Sequence, residues 1–151
     1  MSVQARLKAL GITLPDAPAP AANYVPFVQS GNLLFISGQI PAGPDGLIRG
    51  RLGEDMDISA GAAAARVCGL ALIAQARAAL GDLDRVGRVV KLTGFVNSTP
   101  GFTDQPEVIN GCSDLMVEVF GDAGRHARAA VSAPALPRGV AVEIEAVFEV
   151  L

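Results

Sequence analysis

The chain contains no tryptophan, one tyrosine, one histidine and two cysteines among its 151 residues. Because His126 is the only histidine, metal sites built from several histidines are excluded, and a Ser–His relay requires that residue. Cys68 and Cys112 lie far apart in helical patterns, without CxxC spacing. We therefore expect two buried free thiols in a reducing compartment, no disulfide and no metal.

A basic surface is also lacking. Twelve Lys and Arg residues against fifteen Asp and Glu residues give a net charge of -3, and the cations are scattered along the chain. Aromatic residues make up 5% of the chain, which leaves few rings for base stacking. These features argue against a nucleic-acid partner.

Membrane and export signals are missing from the N-terminus and from the apolar runs. No uninterrupted apolar run approaches the roughly 20 residues that span a bilayer. The first residues, "MSVQARLKALGITLP", lack the apolar core and cleavage site of a signal peptide. With half of its residues hydrophobic and 18% charged, the chain is expected to form one cytoplasmic domain over 1–151, without a membrane partner. Residues 1–22, rich in Pro and Ala towards their end, are predicted to be an extended lead-in.

Hydrophobic periodicity predicts the element order β-β-(β)-α-β-α-β-β. "YVPFVQSG" and "NLLFISGQI" indicate a hairpin around Gly31, and a short third strand is expected at Leu47–Arg49. Asp57 or Ser59 caps a helix that Gly81 ends. "RVVKLTGFVN" is a further strand. The second helix has Pro106 in its opening turn, and its apolar stripe consists of Ile109, Cys112, Met116 and Val119.

The last two predicted strands, "ARAAVSA" and "VAVEIEAVFEV", are separated by a Pro-Gly turn and are expected to form a hairpin. Arg128 lies in the first strand among Ala, Val and Ser, where a guanidinium needs a negatively charged partner. One interpretation is a structural ion pair across the hairpin with Glu143 or Glu145. Strand alternation puts both glutamates on one face, so the sequence does not choose between them.

The predicted sheet has one face more than the helices can cover. Two helices cover a single face of a five- or six-stranded sheet, yet Leu33–Ile36 and Val89–Val90 are apolar on both faces. An exposed apolar face is normally buried against another surface. We therefore expect a homo-oligomer.

Three separated motifs occur in a recognisable order: "SGQIP" at Ser37–Pro41, "R-x-x-V" at Arg128–Val131, and "LPRGVAVEIEAV" near the C-terminus. Together they resemble the RidA/YjgF family of reactive-intermediate deaminases, from about Tyr24 to Val150. The resemblance implies an α+β, chorismate-mutase-like single domain in which two helices pack on one face of a mixed sheet. It also implies a trimer with sheets facing inward and active sites in clefts between subunits.

The resemblance assigns roles to individual residues. Arg128 would hold the carboxylate of an unstable enamine or imine such as 2-aminoacrylate, since a planar guanidinium fits a carboxylate bidentately. Glu143 would orient or activate the attacking water. The other carried-over positions border or line the substrate pocket: Tyr24, Ser37, Gly38 and Asn110.

The implied activity is hydrolysis of 2-imino acids to 2-keto acids and ammonia, as in a 2-iminobutanoate/2-iminopropanoate deaminase. Because this reaction needs only positioning, a water and a proton relay, no metal or organic cofactor is expected. The expected partners are a small imino, enamine or keto acid and further copies of the chain. The alternative is a non-catalytic module that binds a small carboxylate metabolite in the same cleft. An endoribonuclease, the older family label, is disfavoured by the charge.

Several of these residues also have structural interpretations. Tyr24 could be an exposed aromatic at a strand start, Ser37 a strand-end turn residue and Asn110 a solvated helix residue. The family often has Cys two residues after the arginine and Pro two residues before it, where this chain has Ala130 and His126. His126 is predicted to lie in a loop. Its alternative role is a proton carrier, although Arg128 would disfavour its protonated form.

Overall fold

The structure, a computed structural model, describes residues 1–20 and 23–151. Three helices and seven strands are formed by these residues. The helices are α1 (Val3–Ala9), α2 (Ile58–Leu80) and α3 (Gln105–Phe120). The strands are β1 (Phe27–Ser30), β2 (Leu33–Gln39), β3 (Ala42–Gly43), β4 (Gly46–Leu47), β5 (Val86–Asn97), β6 (Ala127–Ala133) and β7 (Val142–Val150).

Five strands form one mixed sheet in the order β1-β2-β7-β5-β6. All neighbours are antiparallel except β5 and β6, which run parallel. β3 and β4 form a separate two-stranded hairpin. The third strand predicted at Leu47–Arg49 is therefore shorter than expected and lies outside the main sheet, while Arg49 makes an isolated bridge to Val140.

Local signals define the two long helices as predicted. The side chain of Asp57 caps α2 by accepting a hydrogen bond from the backbone N–H of Ala60 at 2.8 Å. Gly81, at φ 79°, ends the helix. Pro106 lies in the first turn of α3, and the predicted apolar stripe of this helix is fully buried: Ile109, Cys112, Met116 and Val119.

The N-terminal segment is not the extended lead-in predicted over 1–22, because it begins with the helix α1. The described chain therefore has three helices where two were predicted. Ser2 caps α1 by accepting a hydrogen bond from Ala5 N–H at 3.1 Å, and Leu7 is buried in the core. A single buried leucine on a seven-residue helix is too weak a periodic signal to predict from sequence. After α1 the segment has neither helix nor strand over residues 10–20, and residues 21–22 lie outside the described part.

The predicted hairpin between the last two strands is wrong. β6 pairs only with β5, and β7 lies on the other side of β5, between β5 and β2. The connection over residues 134–141 is too long for a tight turn, and it includes a 3-10 turn at Pro137–Gly139. The chain therefore crosses β5 before entering β7, so the Pro-Gly signal marks a crossover instead of a hairpin.

The buried core lies between the helices and one face of the sheet. In β7 the residues that face the helices are buried: Val142, Ile144, Ala146, Phe148 and Val150. The opposite face of the sheet carries exposed apolar side chains, including Val28 at 52%, Phe35 at 44% and Val131 at 44% exposure. The uncovered apolar face predicted from the sequence is thus present in the described chain.

By length and composition alone α2 could cross a membrane, although Arg66 interrupts its apolar residues so that they form no single uninterrupted run. Of its most apolar window, 56% is buried within the protein. The close approach of α3 explains this burial, because the carbonyl oxygen of Ala62 in α2 lies where a Cβ on Gly111 in α3 would be. A largely buried helix of this kind is typical of a protein core.

Candidate active site

Arg128 lies on the edge strand β6, half-buried, with its side chain on the helix-covered face. This placement follows from the register, because Arg128 pairs with Leu92 of β5, whose side chain is fully buried under the helices. Its Nη1 donates to Asn110 Oδ1 at 2.8 Å and to Ser113 Oγ at 3.2 Å. Both acceptors are neutral, so the guanidinium is held in place while its charge is left uncompensated.

The ion pair considered for Arg128 is not formed within the described chain. The salt bridges among residues 1–20 and 23–151 join Arg66 to Glu118 and Arg125 to Asp122. In the same residues, Nε and Nη2 of Arg128 have no hydrogen-bond partner. The edge of the guanidinium that carries the Nε–H and Nη2–H donors is therefore available for an anionic ligand.

Helix α3 supplies both acceptors from one side. Asn110 and Ser113 are three residues apart and thus neighbours on the helix surface, while Ile109 and Cys112 point into the core. Close packing holds this helix on the sheet, since a Cβ on Gly94 would meet Ile109 Cδ1 at 2.6 Å. Asn110, a predicted site residue, is thereby brought to Arg128.

His126 lies in the loop before β6, as predicted, and next to the same helix. Its Nε2 is 2.8 Å from Ser113 Oγ, and its Nδ1 is 2.6 Å from the carbonyl oxygen of Gly124. Burial is the main cause of a lowered pKa of His126; the hydrogen bond to Gly124 opposes it, and the charge of Arg128 lowers it further. At neutral pH the imidazole is therefore uncharged.

The remaining predicted residues lie on and next to β2 and β7. Gly38 packs closely on the Glu143 side chain, because a Cβ there would lie 2.7 Å from Glu143 Oε2 and would force that carboxylate to move. Ser37 donates from its Oγ to the carbonyl oxygen of Val25 at 2.9 Å. Tyr24, 49% exposed, lines a cleft of about 180 Å³ together with Gly38.

Glu143 is the better placed of the two candidate glutamates. It is half-buried against Gly38, whereas Glu145 is exposed. The pKa of Glu143 is raised, first by burial and then by the nearby charge of Glu145. A carboxylate whose pKa is shifted towards neutrality is a better general base than an ordinary surface glutamate.

Arg128 and Glu143 do not meet within one chain. β5 separates their strands, and Glu143 pairs with Phe95, a position on the uncovered face, while Arg128 pairs with the buried Leu92. The expectation that the arginine and the glutamate lie on paired strands is therefore wrong. The predicted residues form two groups in one chain: Arg128 with Asn110, and Glu143 with Tyr24, Ser37 and Gly38.

Three site residues were missed by sequence analysis. Ser113 could have been found as the residue one helical turn after Asn110. Gln75 interrupts an apolar helix, which is a signal for a buried polar contact; its Nε2 donates to the carbonyl oxygen of Pro18 at 2.7 Å and to Gln39 Oε1 at 3.4 Å. Both amides line the cleft beside Tyr24.

Clusters of metal-ligating side chains and exposed thiols would each add a further chemistry to the site. Within residues 1–20 and 23–151 no three His, Cys, Asp or Glu side chains are grouped in a way that could hold a metal. Cys68 and Cys112 are free and buried, as predicted. Burial raises the pKa of Cys112 to about 12, with Arg128 opposing the rise. A thiol of this kind is protonated and unreactive at neutral pH.

Comparison with known families matches residues 4–148 to the family model described as "YjgF/chorismate_mutase-like, putative endoribonuclease". The chain belongs to the YjgF family. The resemblance seen in the motifs is thereby confirmed, and the fold is the chorismate-mutase-like α+β fold of YjgF proteins with a mixed sheet and three helices.

Individual relatives cover nearly the whole chain. Protein TCP17 of Trypanosoma cruzi is 54% identical over 97% of this chain and 93% of its own length. The crystal structure of Atu1372 from Agrobacterium tumefaciens, a protein of unknown function, is 48% identical, covers 99% of this chain and 92% of its own, and has a TM-score of 0.91. The crystal structure of E. coli TdcF with bound serine is 28% identical, covers 88% of this chain and 92% of its own, and has a TM-score of 0.62.

Proposed function

We propose that this protein hydrolyses small 2-imino acids, and the enamines that tautomerise to them, to 2-keto acids and ammonia. The observation that carries the proposal is the guanidinium of Arg128. It is half-buried, fixed through Nη1 by two neutral acceptors, and unpaired with any carboxylate among the described residues. A structural arginine would be expected to have its counter-ion within the fold.

A small carboxylate ligand fits this arrangement. The unoccupied edge of the fork offers parallel N–H donors, and each charge-assisted hydrogen bond contributes about 1.5–3 kcal/mol. TdcF was crystallised with serine, a small amino acid with a carboxylate, which supports the same class of ligand here. The imino acids proposed as substrates have this carboxylate in common with serine.

We place the active site between subunits because its two groups lie on opposite faces of the sheet. Arg128 and Asn110 of one subunit would face Glu143, Gly38 and Tyr24 of the next. The exposed apolar face of the sheet supports an assembly of this kind, since Phe35 and Val131 need a covering surface. A closed trimer with the sheets facing inward meets both requirements.

The reaction then follows from the placement of charge. Arg128 fixes the carboxylate, which orients C2 of the imino acid towards a water held by Glu143 of the neighbouring subunit. Water attack forms the C2–O bond as the C=N electron pair moves to nitrogen, and one water proton passes to a base. Glu143 holds the water by accepting a hydrogen bond from its other O–H, so that the water oxygen faces C2. Protonation of the amine then lets ammonia leave as the C2–N bond breaks, and the C=O bond forms as the remaining hydroxyl proton is lost.

A second candidate is a non-catalytic module that binds a small carboxylate in the same cleft. It is favoured by Ala130, which stands where the family often has a cysteine and leaves the pocket with fewer reactive groups. Both candidates require Arg128. They differ in whether Glu143 affects turnover or only affinity.

A coupled assay tests the proposal. An amino-acid oxidase generates imines in the presence of semicarbazide, and semicarbazone formation is followed spectroscopically. Wild type should suppress the semicarbazone, whereas Arg128→Ala and Arg128→Lys should not, because lysine lacks the bidentate fork. No suppression across several amino-acid substrates by a folded wild type would favour the binding module.

A further inference from the structure

The side chains next to Arg128 form a directed chain of hydrogen bonds. The carbonyl oxygen of Gly124 has no proton, so the Nδ1 of His126, 2.6 Å away, must be the donor. In the neutral ring Nε2 is then an acceptor, and the hydroxyl of Ser113 donates to it at 2.8 Å. Arg128 Nη1 in turn donates to Ser113 Oγ at 3.2 Å.

This arrangement leaves Ser113 with one lone pair to spare. A serine hydroxyl has one proton and two lone pairs; the proton goes to His126, and one lone pair accepts from Arg128. The second lone pair has no partner within the described ranges. Ser113, His126 and Arg128 together line a cleft of about 270 Å³ that a small ligand can enter.

We propose that Ser113 and His126 form the proton relay for the substrate that Arg128 holds. The inference rests on the proposed deaminase function and adds a base within the same subunit as the arginine. It assigns a role to His126, which stands where the family often has proline. The pair lies on the helix-covered side of the sheet with Arg128, whereas Glu143 of the same chain does not.

With the iminium form of the substrate, the relay accounts for every proton and bond in the hydrolysis to keto acid and ammonia. As the water oxygen bonds to C2, the C=N electron pair moves to nitrogen. The water proton passes to Ser113 Oγ while the proton of Ser113 passes to Nε2 of His126. The relay then runs in reverse and protonates the amine; the C2–N bond breaks, ammonia leaves, and the remaining hydroxyl proton is lost to solvent as the C=O bond forms.

The surroundings of His126 keep it able to accept that proton. The charged groups near the cleft are Arg128 and Arg125 from its own segment and Asp114 from α3. On the other side of His126, Arg88 of β5 and Glu149 of β7 line a second cleft with it, and Arg88 donates from Nη2 to the carbonyl oxygen of Arg125 at 3.2 Å. Burial and the charge of Arg128 both lower the pKa of His126, so the neutral ring that the relay needs is the resting state.

The first test compares the pH dependence of kcat/KM in wild type, Ser113→Ala, His126→Gln and the matched control Ser113→Thr, which keeps the hydroxyl. Loss of a general base lowers kcat by about a hundredfold or more, so Ser113→Ala and His126→Gln should fall that far while Ser113→Thr retains most turnover. The affinity for 2-oxobutanoate, a 2-keto acid, should stay near wild type in all three variants because Asn110 still holds Arg128. Wild-type kcat/KM should also fall as the pH drops through the lowered pKa of His126, and His126→Gln should lose that dependence.

The second test does not depend on turnover. Because His126 is the only histidine, its Cε1–H resonance reports a single pKa. Binding of 2-oxobutanoate should raise that pKa in wild type, since the carboxylate offsets the charge of Arg128, and Arg128→Ala should abolish the effect. An unchanged pKa when calorimetry shows the keto acid bound would overturn the relay.

The two proposals fail in different ways. A folded wild type that hydrolyses no imine contradicts the proposed function itself. A wild type that hydrolyses imines, with Ser113→Ala and His126→Gln as active as it is, contradicts only the relay. If Ser113 and His126 had only a structural role, Ser113→Ala and His126→Gln would lower the melting temperature and the keto-acid affinity together. The pH profile of their residual activity would then match that of wild type, and this result would also overturn the relay.

Discussion

Replacing Asn110 by aspartate should turn the proposed ligand site into an internal ion pair. Asn110 Oδ1 accepts from Arg128 Nη1 at 2.8 Å, so Asn110→Asp puts a carboxylate at that distance with almost no change in shape. Two unit charges about 4 Å apart attract by about 4 kcal/mol in the effective dielectric near a protein surface. Because Asn110 is exposed and Arg128 only half-buried, solvent screening reduces the net gain to about 1 kcal/mol.

The new carboxylate leaves the Nε–Nη2 edge open but offsets the positive charge that attracts the substrate carboxylate. We expect Asn110→Asp to bind 2-oxobutanoate about fivefold more weakly than wild type, while its melting temperature stays equal or rises. The control Asn110→Ala removes one neutral acceptor, which costs about 1 kcal/mol of stability, so its melting temperature should fall. Isothermal titration calorimetry and thermal unfolding measure both effects. A folded Asn110→Asp that binds the keto acid as tightly as wild type would refute the assignment of Arg128 as the carboxylate site.

Two further substitutions test other parts of the structure. Glu143→Gln should raise stability at neutral pH, because the raised pKa of Glu143 means that its charged form is disfavoured in the folded state. The free energy of unfolding should show this gain above the folded-state pKa of Glu143 and lose it as the pH falls below the pKa of Glu143 in the unfolded state. An equal gain in the exposed control Glu145→Gln would contradict the reasoning. Gly111→Ala should destabilise the protein by about 1–3 kcal/mol through overpacking, because a Cβ there overlaps the carbonyl oxygen of Ala62. In the control Gly101→Ala the new Cβ meets nothing within 4 Å, so stability should change little. Denaturant unfolding measures both effects. Equal effects of the two alanines would contradict the close α2–α3 contact.

Elements defined by local signals could be predicted from the sequence. The cap at Asp57, the stop at Gly81 and the proline start of α3 each depend on residues within one turn of the boundary. The alternation of β7 likewise follows from its own residues. Such signals need no knowledge of the rest of the fold.

Non-local pairing could not be predicted in the same way. β6 pairs in parallel with β5, some thirty residues away in sequence, and nothing in "ARAAVSA" distinguishes this from an antiparallel hairpin with β7. The error affected the site directly, because it placed Arg128 and Glu143 together in one chain. Helical spacing shows that Ser113 shares a face of α3 with Asn110, but its contacts with Arg128 and His126 are tertiary and do not follow from that spacing.

The most direct test of the account mixes two inactive variants in one oligomer. Each variant alone, Arg128→Ala or Glu143→Gln, should be inactive in imine hydrolysis. When equal amounts are refolded together, activity should return in about a quarter of the clefts. These are the clefts that join an intact Arg128 to an intact Glu143 across a heterologous interface. Wild type carried through the same refolding sets the full scale. A mixture as inactive as its parents, in oligomers shown by differently tagged subunits to be mixed, would contradict a site shared between Arg128 and Glu143 of neighbouring subunits.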